Sequence, residues 1–188
     1  MINSSNSGIE VMKEYLSQIH AVEEWILDDY IAHWNECSFP KNTLMTRQGE
    51  TERYMYFVLE GIQKSYYLND EKEHIIAFTY GPSISGIPES FLSQSPSDYF
   101  LATISDSKFL RISFEKHQEL MEKHRSIETL FRKATELLLI GVLKRYYELM
   151  AFDIESRFKR FTARSPHLLH MVSQKDLASY LRIDPSNF

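Results

Sequence analysis

The sequence predicts an α+β fold: leading helices, an antiparallel β-roll of jelly-roll type, one long helix and a shorter helical tail. Three observations carry this. Short runs of bulky residues between Phe39 and Ile112 are punctuated by glycine, proline and polar turns, at the spacing of an antiparallel barrel or jelly roll and not of βαβ units. Residues 126–152, SIETLFRKATELLLIGVLKRYYELMAF, carry apolar residues at helical period with no interrupting proline. Residues 9–34 and those after Ser113 have helical texture as well. Hydrophobic residues make up 43% of the 188 and aromatics 13%, enough for one packed domain, or one domain with a small appendage.

The elements follow in order. Residues 1–8 are polar and expected to fray. Val11, Tyr15, Ile19, Val22, Ile26 and Tyr30 recur about once per turn, which predicts two short helices over 9–34. Phe39-Pro40-Lys41-Asn42-Thr43-Leu44-Met45 reads as a strand running into a glycine turn at Arg47-Gln48-Gly49-Glu50. Strands follow over 54–59 and 62–68, punctuated by Gly61. A polar turn over 69–73 leads to a strand over 74–80, which Gly81-Pro82 closes. A last pair, 100–104 and 108–112, flanks Asp106.

In the long helix Ser126 is placed to cap the start. One stripe runs through Ile127, Leu130, Phe131, Ala134, Leu137, Leu138 and Gly141. A second runs through Leu139, Val142, Leu143, Tyr146, Leu149 and Met150. Surface helices of monomers usually need one apolar stripe. Two stripes call for burial against two bodies, and the second is expected to be the same helix of another copy, giving a homodimer through Leu139, Val142, Leu143, Tyr146 and Met150. A central core helix in a monomer is the competing reading of the same pattern.

Composition narrows the function classes. The net charge of −5 argues against a wholly basic nucleic-acid coat. From Asp153 onward, however, six basic residues face four acidic ones, against fifteen and twenty-two before it. The tail is the mildly basic end. A single cysteine, Cys37, excludes an intrachain disulfide and a cysteine-built metal or iron–sulfur site. The N-terminus lacks the pattern of a signal peptide and no run is apolar enough to span a membrane, so a cytoplasmic protein is expected. His74 stands alone on its strand, and His167 and His170 lack a third ligand nearby, so neither a metal nor a cofactor is expected. No nucleophile elbow or phosphate loop appears, and no catalytic residue is assigned.

The C-terminal stretch is more specific. Asp153 is placed to cap a helix through Phe158 and Phe161 that ends before Ser165-Pro166. Residues 173–188 then resemble a helix-turn-helix. Ser173 and Asp176 form a capping pair, and Leu177, Ala178 and Leu181 make the inward face. Ile183 plugs the turn, Asp184 caps, and Pro185 starts the next helix.

From about Ile19 to its last residue the chain resembles the Crp/Fnr family of transcription regulators. The residues that carry this are Phe39-Pro40-Lys41, Thr46-Arg47-Gln48-Gly49-Glu50, Tyr56-Phe57-Val58-Leu59-Glu60-Gly61 and Tyr80-Gly81, joined to the long helix and the C-terminal motif. The resemblance implies a β-roll of cyclic-nucleotide-binding type with its leading helices (1–125), a dimerisation helix (126–152) and a partial winged helix-turn-helix (153–188). It implies partners as well: a second copy, DNA and a small-molecule effector.

By the same resemblance Gly86, Glu89, Phe91, Ser97, Asp98 and Tyr99 would line the effector pocket. The family's phosphate-binding arginine falls at Ser97. No Lys or Arg occurs between Lys72 and Lys108, so the guanidinium fork suited to an anion is missing and Asp98 adds repulsion. Cyclic AMP is therefore not the expected effector. A plain loop over 93–99 remains one reading, and an apolar or aromatic ligand near Phe91, Tyr99 and Phe100 the other.

Ser173, Gln174, Lys175 and Arg182 would approach DNA phosphates, and Ser186 and Asn187 would face bases. Arg182 stands where the family usually has glycine, at a cost on the order of 1 kcal/mol for a left-handed backbone. The sequence ends about one turn into the recognition helix, so this 188-residue chain is expected to bind DNA weakly and with salt sensitivity. The alternative is a dimeric ligand-binding or protein-interaction module that does not bind DNA. A cupin-like enzyme is disfavoured by the placement of the histidines.

Overall fold

A computed structural model describes residues 4–183. Two helices, α1 (Ser4–Ile19) and α2 (Glu24–Ile31), precede the strands β1 (Asn35–Phe39), β2 (Leu44–Thr46), β3 (Tyr54–Glu60), β4 (Ile62–Asn69), β5 (Lys72–Tyr80) and β6 (Ser83–Ser85). A short helix α3 (Pro88–Ser93) interrupts before β7 (Phe100–Thr103) and β8 (Ser107–Ser113). The helices α4 (Phe114–Lys123), α5 (Arg125–Ala151), α6 (Ile154–Arg164), α7 (Leu168–Met171) and α8 (Gln174–Leu181) complete the described residues. The strands form two four-stranded sheets, ordered β1-β8-β3-β6 and β2-β7-β4-β5, with every pairing antiparallel. The mixed α+β fold with an antiparallel β-roll followed by helices is thus present.

Side-chain alternation explains the layering. On β3, Met55 and Phe57 pack with Met12, Leu16, Tyr30, Leu120, Ile127, Leu130 and Phe131 of the helices. The intervening Tyr56 and Val58 pack with Phe109, Phe39 and Met45 inside the roll. Successive strand residues face opposite sides, so a strand covered on both faces loses its polar half. The second sheet is covered by the C-terminal helices: Ile62 shares a cluster with Phe161, Leu168, Val172, Leu177, Leu181 and Ile183.

Several elements differ from the sequence expectation. The first helix starts at Ser4, inside the stretch expected to fray. The single strand expected over 39–45 is two, β1 and β2, separated by a turn in which Asn42 has φ +63°. β6 and α3 carry no periodic signal because they are three and six residues long. Ser126 does not cap α5: the helix begins one residue earlier, with His124 at the N-cap. α4 ends at Lys123, one residue before that cap, and the Ser126 hydroxyl is buried without a protein partner. Gly61 is required by geometry, with φ +93°. A Cβ there would lie 2.2 Å from Ser107 Oγ and 2.5 Å from the Asp106 carbonyl oxygen.

One buried titratable group sits in the helical core. His117 is 2% exposed, its Nδ1 is 2.9 Å from Tyr30 Oη, and it packs against Phe131 and Phe91. Burial lowers its pKa from 6.5 to about 4. The folded state therefore binds fewer protons than the unfolded state between these values. This contribution to stability is whole above pH 6.5 and is lost as pH falls toward 4. Moving an imidazole over that range corresponds to roughly 3 kcal/mol. Urea unfolding of the parent and of His117→Gln, which cannot titrate, should therefore diverge in slope between pH 6.5 and 4. Parallel pH profiles for the two proteins would contradict the assignment.

Candidate functional site

The effector region expected from sequence is assembled from two distant loops. Residues 47–54 lie against residues 87–97 through backbone bonds, Gly49 N to the Ser97 oxygen at 2.8 Å and Ser97 N to the Glu50 oxygen at 2.9 Å. Glu52 is the hub and is only 2% exposed. Its Oε2 accepts from Thr46 Oγ1 at 2.7 Å, its amide donates to Ser90 Oγ at 2.9 Å, and its carbonyl accepts from Gln94 Nε2 at 3.2 Å. Burial raises the pKa of its carboxyl. The Thr46 hydroxyl and the backbone N–H groups of Tyr54, Arg53 and Ile87 oppose that rise. A buried carboxyl held this way organises the loop pair.

The expected pocket residues divide. Ser97 is buried, and its hydroxyl lies 3.3 Å from Glu89 Oε1 and 3.1 Å from the Tyr99 carbonyl oxygen, while accepting from Tyr99 N at 2.9 Å. Glu89, Ser97 and Tyr99 are thus brought together. Gly86 turns the chain into α3 with φ +140°, and Asp98 is exposed beside them. Phe91 does not join them: it is 5% exposed and packs edge-on against Phe114 in the helical core. The serine at the arginine position therefore meets a carboxylate of its own loop. The first loop exposes Arg47, Glu50 and Arg53, the second exposes Glu89 and Asp98, and Glu52 is buried between them; Arg53 donates to Gln94 Oε1 at 3.2 Å. At Ser97 itself the charged side chain within hydrogen-bond distance is the Glu89 carboxylate, which suits a hydrogen-bond donor and not a phosphate. Of two surface clefts, one of about 310 Å³ lies between α4 and α5, and the other, of about 390 Å³, is lined by Tyr54 and Arg111.

Sequence reasoning missed Thr46, Glu52, Ser90 and Gln94. Their partners lie up to 42 residues away, and no local periodicity announces them.

The C-terminal segment follows its expected local chemistry. Asp153 Oδ1 accepts from Ser156 N at 2.8 Å and caps α6. Ser173 Oγ accepts from Asp176 N at 3.1 Å and caps α8. Leu177, Ala178 and Leu181 are buried, and Ile183 packs beneath the turn. Arg182 is left-handed, with φ 55° and ψ 47°, and Ile183 N returns to the Ala178 oxygen at 2.9 Å. That is the backbone closure usually given to glycine. Ser173, Gln174, Lys175 and Arg182 are exposed. Ser186 and Asn187, with the expected start of the next helix at Asp184 and Pro185, lie outside the described residues.

Helix α5 joins these regions and is unevenly covered. Ile127, Leu130 and Phe131 are buried, but Leu137 and Leu138, expected to continue the same stripe, are exposed. The core formed with α1, α2 and α4 ends near Ala134. Leu139, Val142, Leu143, Tyr146 and Met150 are 55–72% exposed. The far end is tied down again: Glu148, 3% exposed, accepts from Arg164 Nη1 at 3.3 Å and lies 3.9 Å from Arg145 Nη1.

Known proteins share this fold. Residues 36–124 match the family model of the cyclic nucleotide-binding domain. No curated protein matches the chain. Among solved structures, FixK2 from Bradyrhizobium japonicum has a TM-score of 0.70 at 18% identity, over 82% of this chain and 80% of that one. The catabolite activator protein of Thermus thermophilus gives 0.60 at 15% identity, over 90% and 81%. CLP of Xanthomonas campestris, a c-di-GMP-responsive global regulator, gives 0.64 at 18% identity, over 87% of each chain. At these identities the likeness is one of fold. Residues 36–124 are thus similar to the cyclic nucleotide-binding domain, within a fold shared with these three proteins.

Proposed function

We propose that this chain is a DNA-binding transcriptional regulator of Crp/Fnr type that acts as a homodimer and senses an effector other than cyclic AMP. The observation that carries the reading is the single helix α5. Its 27 residues span roughly 40 Å, with the β-roll core packed at one end and the capped helix-turn-helix start bonded at the other. A bare apolar face lies between. A two-fold pair of such helices would cover that face and set two helix-turn-helix segments side by side, as two half-sites on DNA require. Ser173, Gln174 and Lys175 are exposed at the α8 N-terminus, where phosphate contacts are made in such modules. Catalysis plays no part in this reading, and neither does a cofactor.

The missing counter-charge supports the negative half of the proposal. Cyclic AMP carries a phosphate, and at Ser97 the loop offers the carboxylate of Glu89, with Asp98 next in the chain, where a guanidinium is needed. Titration calorimetry of the chain with cyclic AMP or cyclic GMP should show no micromolar binding. Ser97→Arg alone should not create it, because Asp98 stays beside the new cation. Micromolar affinity of the parent for either nucleotide would overturn this part.

Dimerisation is tested separately. Burying Leu139, Val142, Leu143, Tyr146 and Met150 should stabilise association by about 1.5–3 kcal/mol per side chain before entropic costs. Sedimentation velocity should give a dimer for the parent at micromolar concentration and a monomer for Leu143→Glu. A monomeric parent, or an unaffected variant, would contradict it. For DNA, fluorescence anisotropy should show weak, salt-sensitive binding by the 188-residue chain. A chain extended through a full recognition helix should bind a near-palindromic site. Failure of the extended chain to select any site would favour an interaction module that does not bind DNA.

A further inference from the structure

We propose that the β4–β5 hairpin is a latch on the helix-turn-helix and that Arg182 is its strut, not a phosphate contact; the link to regulation rests on the DNA-binding reading above. β5 is an edge strand of its sheet, and such edges carry unpaired backbone groups that need a partner. Ser179 of α8 supplies one: its hydroxyl accepts from Ile75 N at 3.0 Å and donates to the Glu73 carbonyl at 3.0 Å. Lys64 of β4 reaches both Glu73 and, at 3.4 Å, Asp176 Oδ1. The Lys64 and Asp176 side chains are 16% and 14% exposed, so this bridge is shielded from solvent more than most surface pairs.

Arg182 closes the latch. Its Nη1 donates to His74 Nδ1 and its Nη2 to Tyr67 Oη, both at 3.1 Å. The Tyr67 and His74 rings stack with centroids 4.9 Å apart and so present their acceptors to one guanidinium. Arg182 is also the left-handed residue of the turn, where an L side chain is strained and glycine is not. Glycine would relieve the strain but lose both bonds to the hairpin. On its inner side the same turn is held by Arg157 Nη2, which donates to the Arg182 carbonyl at 3.2 Å, and by Arg145 of α5, which donates to the Tyr180 carbonyl. The turn is therefore clamped between the hairpin and the end of α5. A displacement of the hairpin must be carried to the DNA-facing turn, and a phosphate reaching for Arg182 must first displace Tyr67 and His74.

The test uses the 188-residue chain and two variants, Arg182→Gly and the double variant Tyr67→Phe/His74→Ala. Amide hydrogen exchange without DNA is the primary readout. Both variants should exchange at least about fivefold faster at Ile75 and Ile183, with Leu110 in the other sheet unchanged. Unchanged rates at Ile75 and Ile183 in both variants would overturn the latch. The second readout is the salt dependence of binding to a duplex, whose log–log slope falls by about one for each phosphate that the protein ceases to neutralise. Arg182→Gly should keep the parent slope, and a fall of about one would overturn the strut assignment. If the parent binds no duplex at all, the DNA-binding reading fails, and hydrogen exchange alone decides the latch.

Discussion

Everything else in this structure depends on a helix that is buried at its start, tied down near its end at Glu148, and otherwise bare. The N-terminal part of α5 belongs to the helical core through Ile127, Leu130 and Phe131. Its C-terminal part is held through Glu148, Arg145 and Arg164. Between them, Leu137, Leu139, Ile140, Val142 and Leu143 are all more than half exposed. An isolated helix with apolar residues on most of its circumference is poorly matched to water. Its two anchors hold it at either end, and the rest of its apolar face is open to solvent.

The C-terminal helices are not an independent unit hung on that helix. Ile62, Phe78, Tyr80 and Ile104 of the roll share one cluster with Phe161, Leu168, Leu177, Leu181 and Ile183. Apolar packing sets the strength of this docking, while the polar contacts of Ser179, Lys64 and Arg182 set its register. At the loops around Glu52 the balance is reversed: they are held mainly by hydrogen bonds.

Much of this was legible in the sequence because it is written locally. Helical period gave α5, the alternation of bulky residues gave β3, β4 and β8, and short-range capping chemistry gave α6 and α8. The left-handed turn at Arg182 was legible as well, since it stands where the related motif has glycine. What could not be read has a common cause, which is sequence distance. Arg182 meets His74 and Tyr67 across 108 and 115 residues, and Glu52 meets Ser90 across 38. The end of the buried stripe on α5 depends on how far α1, α2 and α4 reach, which no pattern within α5 records. Very short elements escaped for another reason: β6 and α3 are set by pairing and by Pro88, not by period.

The claim that the bare face of α5 is covered by the same helix of a second copy is tested most directly by cross-linking across it. In a Cys37→Ser background, Val142→Cys places one thiol on that face, and Lys133→Cys places a control thiol on the same helix outside the stripe. Two helices meeting along the stripe bring the Val142 positions within disulfide reach, where Cα atoms lie about 4.4–6.8 Å apart. Mild oxidation should then convert the Val142→Cys protein rapidly to a covalent dimer while the Lys133→Cys control stays largely uncoupled. Equal, slow coupling of the two proteins would contradict the account and leave the face to some other occupant.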